Sequence, residues 1–282
     1  MKKSLLVTLA LSLVLVAAGC SKTTENTTEE VATEVEDATE AVEEDAAEAE
    51  DTAEAEAEAD TENAATAEGV MSYADYVAAA VDTEVCVETY VQAKQAWWED
   101  NGVGQATFYT QNQDGAFFVY NLPCSQEDYD KLVPGTKIKV TGFKSEWSGE
   151  VEITDATYEI EDTDTFVADA KDVTDLLGKD ELIDYQNQFV SFKGMTVEAA
   201  NDAGDAFLYK WDGSGTEGDD LYFNVSLDGN TYTFTVESYL CDKDSDVYKA
   251  VQNLKVGDVV DMEGFLYWYE GVNPHITSVS VQ

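Results

Sequence analysis

The sequence contains no arginine, and its acidic residues far outnumber its basic ones. Among 282 residues there are 59 Asp or Glu and 15 Lys or Arg, all of them lysine, giving a formal net charge of −44. Without arginine the chain has no planar guanidinium group to clamp a phosphate, and its negative surface repels a phosphate backbone. We therefore do not expect nucleic acid to be a partner.

The chain also has a single histidine, His275. One histidine excludes a His-based metal cluster and leaves any Ser-His or Cys-His mechanism dependent on that residue alone. It follows a proline and precedes the last predicted strand, so we interpret it as a structural or surface residue. Carboxylate pairs are too abundant for any one pair to indicate acid–base chemistry. The sequence predicts no catalytic residue and no cofactor, and therefore a protein that is not an enzyme.

The N-terminus is typical of an export signal. Two lysines precede the apolar run Leu5–Val16, which is too short to span a membrane, and small residues lead from it to Cys20. The order Val-Ala-Ala-Gly-Cys that ends at Cys20 resembles the lipobox of bacterial lipoproteins. The resemblance implies removal of a signal peptide over 1–19, acylation of Cys20 with palmitate, and a lipid-anchored place on the extracytoplasmic face of the cell membrane. The alternative is an ordinary secretory signal with an incidental cysteine.

The next segment is strongly acidic. Residues 21–68 hold 19 acidic residues, one lysine and no aromatic residue. Such a composition cannot bury enough apolar surface to offset its ordering entropy, and its like charges repel one another. We predict a disordered acidic stalk over 20–68 that holds the folded part away from the membrane. The alternative is a docking site for a basic partner or for divalent cations.

The remaining residues contain an internal repeat. In each copy a cysteine is followed by a short helical segment, a leucine, and a strand that ends in Gly-Phe. The Gly-Phe pair is Gly142-Phe143 in the first copy and Gly264-Phe265 in the second. An aromatic residue and a further glycine follow in both copies, as do Ile and Thr. Two copies in the same order predict two units of one fold.

Each copy is predicted to be mostly β. In the first copy, alternation of apolar and polar residues predicts a strand at 85–92, and a turn at 111–115 predicts a hairpin between 106–110 and 116–122. A helix over 125–132 and strands over 136–144 and 150–160 follow, with Gly142 at an expected bulge. Helical segments are predicted ahead of each unit, at Ser72–Val81 and Thr174–Tyr185.

Three strands, a helix and two strands, with this glycine spacing, resemble the OB-fold, a five-stranded Greek-key barrel. The resemblance covers about 83–161 and 187–282. We therefore predict an all-β chain with two tandem OB-like barrels, at 69–165 and 166–282, the second with a long insertion at 199–220. A β-sandwich or an unrelated barrel is the alternative.

In OB-folds, ligands usually meet the face of strands 2 and 3 and the loops that join strands 1–2 and 4–5. All five tryptophans fall in the elements that would rim two such clefts. We expect two tyrosines of the first barrel, Tyr90 and Tyr109, to point outward on the same face. The predicted ligand-binding residues are Trp97, Trp98, Trp147, Trp211, Tyr267, Trp268, Tyr269, Tyr90 and Tyr109. Alternatively, these side chains fill the barrel mouths or the interface between the units.

Aromatic rings beside carboxylates offer stacking surfaces and hydrogen-bond acceptors. That combination suits sugar rings, cationic groups or a protein partner. The sequence therefore predicts a non-catalytic binding module for a glycan or another neutral or cationic ligand. The alternatives are a protein–protein or structural component of the cell envelope and an oligonucleotide-binding OB protein.

Signals for metals and disulfides are weak. The acidic run at 242–246 lacks the glycine and glutamate of a Ca²⁺ loop, and the acidic loop at 212–220 is typical of a solvated turn, so we predict no metal site. Three cysteines besides Cys20 are an odd number. A Cys124–Cys241 bond, a Cys86–Cys124 bond and three free thiols all stay open.

Overall fold

The computed structural model describes residues 69–282, so the predicted signal peptide, Cys20 and the stalk over 20–68 lie outside the described residues. The first half contains α1 (Tyr73–Ala78), β1 (Glu84–Lys94), β2 (Trp98–Asp100), β3 (Val103–Gln111), β4 (Ala116–Pro123), α2 (Gln126–Lys131), β5 (Thr136–Trp147) and β6 (Glu150–Thr165). The second half contains β7 (Lys171–Asp172), two 3₁₀ helices (Thr174–Leu176 and Asp180–Tyr185), β8 (Phe189–Glu198), β9 (Leu208–Tyr209), β10 (Leu221–Leu227), β11 (Asn230–Val236), α3 (Asp246–Gln252), β12 (Val259–Phe265) and β13 (His275–Val281). None of the helices within 69–282 has the length and apolar character needed to cross a membrane.

Each half closes into a five-stranded barrel of the same order. The first runs β1–β5–β6–β4–β3, with β4 and β6 parallel, and the pairing of β3 with β1 closes the ring. The second runs β8–β12–β13–β11–β10, with β11 and β13 parallel, and β10 pairs with β8. In both barrels a short helix joins the third strand to the fourth. This order confirms the prediction of two OB-like barrels.

Each barrel has its own hydrophobic core, filled by the inward-facing residues of its strands. In β1 the alternation places Val85, Val87 and Val91 inside, as predicted. The second core is richer in large side chains, among them Phe192, Phe223 and Phe234, Leu221 and Tyr248. Full burial of such a side chain contributes roughly 1.5–3 kcal/mol, so each core can hold its barrel together.

A glycine near the end of the fourth strand forms a corner in both barrels. A Cβ on Gly142 would lie 2.7 Å from the Thr154 carbonyl oxygen, and one on Gly264 would lie 2.2 Å from the His275 carbonyl oxygen. The register of the β5–β6 and β12–β13 ladders shifts at these positions. The predicted bulge at Gly142 is confirmed, and the repeat reproduces it at Gly264.

The segments that precede the two barrels, both predicted to be helical, differ. Ser72 caps α1, since its Oγ accepts a hydrogen bond from the Asp75 backbone N–H at 3.1 Å. The predicted helix at 174–185 is instead two 3₁₀ helices, neither of which has a side-chain cap at its start. Gly178, at φ 78°, separates them. A left-handed residue between uncapped turns prevents one continuous α-helix.

Lys144, at the predicted end of the fourth strand, is buried. Its Nζ donates to the carbonyl oxygens of Tyr76, Val77 and Ala79, at 3.0, 2.9 and 2.8 Å. Burial lowers the pKa of its ammonium group. The lysine therefore caps the C-terminal end of α1 and attaches that helix to the first barrel.

Candidate functional site

The strand 2–3 face of the first barrel is covered by the second barrel. The ring of Tyr109, on β3, stacks on Phe265 with centroids 4.3 Å apart, and it packs beside Phe118 of β4. The Tyr109 hydroxyl lies 2.7 Å from His275 Nδ1. Tyr109 does point away from its own barrel core, but the prediction that it faces a ligand is wrong, because the other barrel buries it completely.

A buried carboxyl group joins the two barrels beside this cluster. Glu150, at the start of β6, accepts hydrogen bonds at Oε2 from the Trp268 backbone N–H at 2.9 Å and from Gln186 Nε2 at 3.2 Å. Its Oε1 and the nearby Asn187 Oδ1 are both buried without a partner among the described residues. Burial raises the pKa of Glu150 to about 8. A proton on Oε1 would supply the donor that these two acceptor oxygens lack.

Above this contact the two barrels enclose one shared cleft, and the sequence leaves open whether they form one site or two. The tight turn between β5 and β6 meets the loop 266–274 between β12 and β13, with the Glu270 backbone N–H donating to the Ser148 carbonyl oxygen at 2.7 Å. The cleft measures about 970 Å³. Its aromatic lining comes from both barrels and comprises Phe118, Tyr120, Trp147, Trp211, Tyr222, Tyr267 and Tyr269.

Two rings from equivalent positions of the repeat meet at the mouth of the cleft. The centroids of Trp147 and Tyr269 lie 5.1 Å apart, with their planes tilted by 39°. Trp147 is 54% exposed and Tyr269 45%, and Trp211, in the insertion at 199–220, is 76% exposed. These three rings leave much of their surface open, which is typical of an interaction surface.

The polar lining of the cleft is dominated by acidic residues, which are Glu146, Glu152, Asp220, Glu237 and Glu270. Burial raises the pKa of both Glu152 and Glu237 to about 7. Glu237 is held in place, because its Oε2 accepts from Gln95 Nε2 at 3.1 Å and its Oε1 accepts from the Tyr239 backbone N–H at 3.3 Å. No lysine is among the described residues that line the cleft.

The histidine also lies in the cleft lining, where it has a structural environment. His275 is buried and stacks on Tyr267, with ring centroids 4.2 Å apart and planes inclined by 21°. Burial lowers its pKa to about 3, so the imidazole is neutral. A neutral, stacked histidine that is hydrogen-bonded to Tyr109 fixes the barrel interface and the position of Tyr267.

Four of the nine predicted ligand-binding residues line the cleft: Trp147, Trp211, Tyr267 and Tyr269. Trp98 is exposed on β2, outside the cleft. Tyr90 is buried beneath Phe166 and its hydroxyl donates to Asp164 Oδ2 at 2.7 Å, so the chain that follows β6 covers it. Trp98 and Tyr90 therefore do not contribute to the cleft.

The other two tryptophans have packing roles. Trp97 packs on the first core, its Nε1 donates to the Cys124 carbonyl oxygen at 3.1 Å, and its ring occupies the space that Gly104 leaves without a side chain. Trp268 packs against the second core and covers Gly149 of the first barrel. In both cases a glycine beside the ring provides the space. The alternative interpretation, that some aromatics fill the barrel mouths and the interface, holds for these residues.

Several cleft residues are absent from the sequence-based set. Phe118 and Tyr120 alternate with core residues along β4, so the outward face of the predicted hairpin carried a usable signal. Glu152 and Glu237 had none, because acidic residues are spread over the whole chain. Which of the many carboxyl groups share a cavity depends on how the barrels pack.

Residues 69–282 contain three cysteines and many carboxyl groups that are relevant to metal or thiol chemistry. In that range no cluster of three or more His, Cys, Asp or Glu is placed to hold a metal ion. Cys86, Cys124 and Cys241 are free thiols, so neither of the two disulfides considered from the sequence is formed. Burial raises the pKa of Cys124 to about 11 and that of Cys241 to about 12, which keeps both thiols protonated.

No protein-family model and no curated protein matches this chain. Among solved structures, it is similar to the tetrameric p202 HIN2 domain at 12% identity, covering 71% of this chain and 95% of that chain with a TM-score of 0.30. A murine DNA-binding protein bound to double-stranded DNA matches at 10% identity over 70% of this chain and 94% of its own, with a TM-score of 0.33. A replication protein A heterotrimer bound to single-stranded DNA matches at 12% identity over 71% of this chain and 49% of its own, with a TM-score of 0.30.

These comparisons correct one expectation. The composition leads us not to expect nucleic acid as a partner, yet the similar structures include domains in complex with double-stranded DNA. The expectation that nucleic acid is an unlikely partner is not kept.

Proposed function

We propose that this chain is a non-catalytic binding module whose ligand occupies the cleft between the two barrels. The observation that carries the proposal is the pair Trp147 and Tyr269, two half-exposed rings supplied by different barrels and held 5.1 Å apart at the mouth of the cleft. An aromatic ring left open to solvent forgoes the free energy of burial, and a ligand that covers it recovers that free energy. The cleft volume suits a ligand of several rings.

The first ligand class that we propose is a glycan. Sugar rings present apolar faces that stack on aromatic side chains, and their hydroxyl groups donate hydrogen bonds to carboxylates. The cleft offers both kinds of partner in one wall, with Trp147 next to Glu146 and Tyr269 next to Glu270. Stacking supplies affinity in such a site, and the carboxylates select the orientation.

The second class is a single-stranded oligonucleotide. The observation that favours it is that Trp211 adds a third exposed ring to the same cleft, because bases stack on successive aromatic side chains regardless of their sequence. The DNA-bound structures described above are of similar overall fold type. Because no lysine lines the cleft, added salt would screen the repulsion between phosphates and the cleft carboxylates, so oligonucleotide affinity would rise with salt concentration, whereas glycan affinity would change little.

We further propose that the barrels are attached to the outer face of a membrane through lipid on Cys20. The support for this is the order of the charged, apolar and small residues that precede that cysteine. Cells expressing the full chain should incorporate labelled palmitate into it, and Cys20→Ser should abolish that incorporation. Incorporation that persists in C20S would contradict the anchor.

Tryptophan fluorescence of the full chain, titrated with cell-wall glycan fragments and with single-stranded oligonucleotides, tests the cleft. We expect a saturable change with one class, lost in Trp147→Ala and in Tyr269→Ala. Trp98→Ala is the matched control, since it removes an exposed tryptophan outside the cleft. Saturable binding that Y269A leaves unchanged would contradict the proposed site, and a folded chain that binds neither class would contradict the proposed ligand classes.

A further inference from the structure

One carboxyl group of the cleft is buried without a hydrogen-bond partner. Glu152, on β6, lines the cleft and is only 5% exposed. No described residue donates a hydrogen bond to its carboxylate, and the only cause that shifts its pKa is burial. The other two buried carboxyl groups nearby, Glu150 and Glu237, each accept two hydrogen bonds.

The Glu152 side chain is largely removed from bulk water, and no donor or cation among the described residues compensates its charge, so its ionised form is disfavoured. Glu150, two residues before it on the same strand, by contrast accepts two hydrogen bonds at its Oε2. A carboxylate whose charge no protein group compensates is complementary to a ligand that brings a positive charge.

The surroundings of Glu152 favour a ligand group with a positive charge. Four further acidic side chains line the same cleft and no lysine does so within the described chain. The faces of Trp147 and Tyr269 carry negative electrostatic potential, which attracts cations. Carboxylates and aromatic faces together stabilise an organic cation more than a neutral molecule of the same shape.

We propose that the cleft binds an organic cation, with its charged group between Glu152 and Glu237 and its apolar or ring-bearing part against Trp147 and Tyr269. This inference rests on the proposed function and names the chemical class of its ligand. A glycan with free amino groups and a small quaternary ammonium compound both fit this class, because both present the same charge to the same carboxylates.

The test uses a charged probe and its neutral analogue of equal shape. Choline carries a permanent positive charge, and 3,3-dimethylbutan-1-ol replaces its nitrogen by carbon. Isothermal titration of the full chain at pH 8, where both cleft carboxyl groups are largely ionised, should give at least about tenfold tighter binding of choline. Glu152→Gln keeps the shape and removes the charge, so it should abolish this preference.

One control variant and a second binding readout separate the outcomes. Glu99→Gln removes an exposed carboxylate outside the cleft and should keep the preference for choline. Equal affinity of the wild-type chain for the two probes, or a preference that survives in E152Q, would overturn the inference. If glycan or oligonucleotide binding depends on Tyr269 while choline does not bind, the charge inference fails and the proposed cleft stands.

Discussion

The same position in the two barrels has opposite surroundings. Phe143 and Phe265 both follow the corner glycine of the fourth strand, yet Phe143 is 43% exposed and Phe265 is 3% exposed. Phe265 stacks on Tyr109 of the other barrel, whereas Phe143 faces solvent. The fold requires the glycine in both barrels, whereas the exposure of the residue after it depends on what lies beside each barrel.

The next residue shows the same divergence. Lys144 caps α1 in the first barrel, and its equivalent Leu266 is buried in the second core, with its backbone N–H donating to the Gln188 carbonyl oxygen at 3.0 Å. One copy uses this position to attach a helix, and the other uses it to begin a loop toward its neighbour. Repeated topology therefore does not imply repeated function along a barrel rim.

The connections between the fourth and fifth strands of the two barrels differ most. In the first barrel Ser148 and Gly149, at φ 53° and 93°, form a tight turn whose positive φ values match the twist of the flanking strands. In the second barrel the connection is the longer loop 266–274. That loop supplies an interface residue, a core residue and a cleft residue in succession, namely Tyr267, Trp268 and Tyr269.

The largest effect should come from filling the corner glycines. Gly264→Ala should lower the free energy of unfolding by about 3–5 kcal/mol, because the nearest atoms to its new Cβ are all backbone atoms of β13. Gly142→Ala should cost less, about 2 kcal/mol, because the nearest backbone atom lies 2.7 Å from its new Cβ rather than 2.2 Å, and another neighbour is Ile153 Cγ2, a side-chain methyl that can shift. Urea unfolding of the full chain measures both, and equal losses would contradict the distinction between the corners.

The carboxyl group that joins the barrels should make stability depend on pH. The pKa of Glu150 is raised to about 8 from its ordinary value of 4.5, so the folded state retains a proton that the unfolded state loses. Stability should therefore fall as pH rises from 4.5 to 8, by up to about 1.4 kcal/mol per pH unit for this group. Glu150→Gln should remove this part of the slope and stabilise the chain by about 2 kcal/mol at pH 8.5.

Urea unfolding at pH 5.5 and at pH 8.5 measures that difference. Glu152 and Glu237 also have raised pKa values, so some pH dependence should persist in E150Q. Glu99→Gln, at an exposed position, should behave like the wild-type chain. A slope in E150Q as steep as that of the wild-type chain would show that Glu150 is ionised in the folded state.

Removing the lysine cap should affect only the first barrel. Lys144→Met keeps most of the apolar stem and leaves three carbonyl oxygens at the end of α1 without a donor. We expect a loss of about 2 kcal/mol and faster hydrogen exchange in α1. Exchange in β12 and β13 should stay unchanged, and loss of protection there would mean that α1 also supports the second barrel.

The smallest effect concerns the hydrogen bond across the interface. Tyr109→Phe keeps the stack on Phe265 and removes the hydroxyl that lies 2.7 Å from His275 Nδ1. We expect a loss of about 1 kcal/mol in the free energy of unfolding, because a buried ring nitrogen loses its partner. Tyr90→Phe is the matched control, as its hydroxyl bonds Asp164 away from the interface. A larger loss in Y90F would contradict the importance assigned to the interface bond.

Much of the fold was predictable from local patterns. Alternation at Val85–Val91 and the hairpin turn near residue 114 predicted strands that the structure contains, and the recurrence of Gly142 as Gly264 predicted a second barrel. These features are encoded within a few residues of one another. The 3₁₀ geometry at 174–185 was not predictable from its apolar spacing, because capping and a left-handed glycine decide it.

The site was only half predictable, for a physical reason. The sequence by itself determined that aromatic residues gather in the connecting loops, and from that the roles of Trp147 and Tyr269 as cleft residues could be anticipated. It could not determine that Tyr109 would be buried against a residue more than 150 positions later, or that Glu152 and Glu237 would share one cavity. Strand order follows from hydrophobic period and turn chemistry, whereas the cleft depends on the shapes of two finished barrels, and only tertiary packing brings those surfaces together.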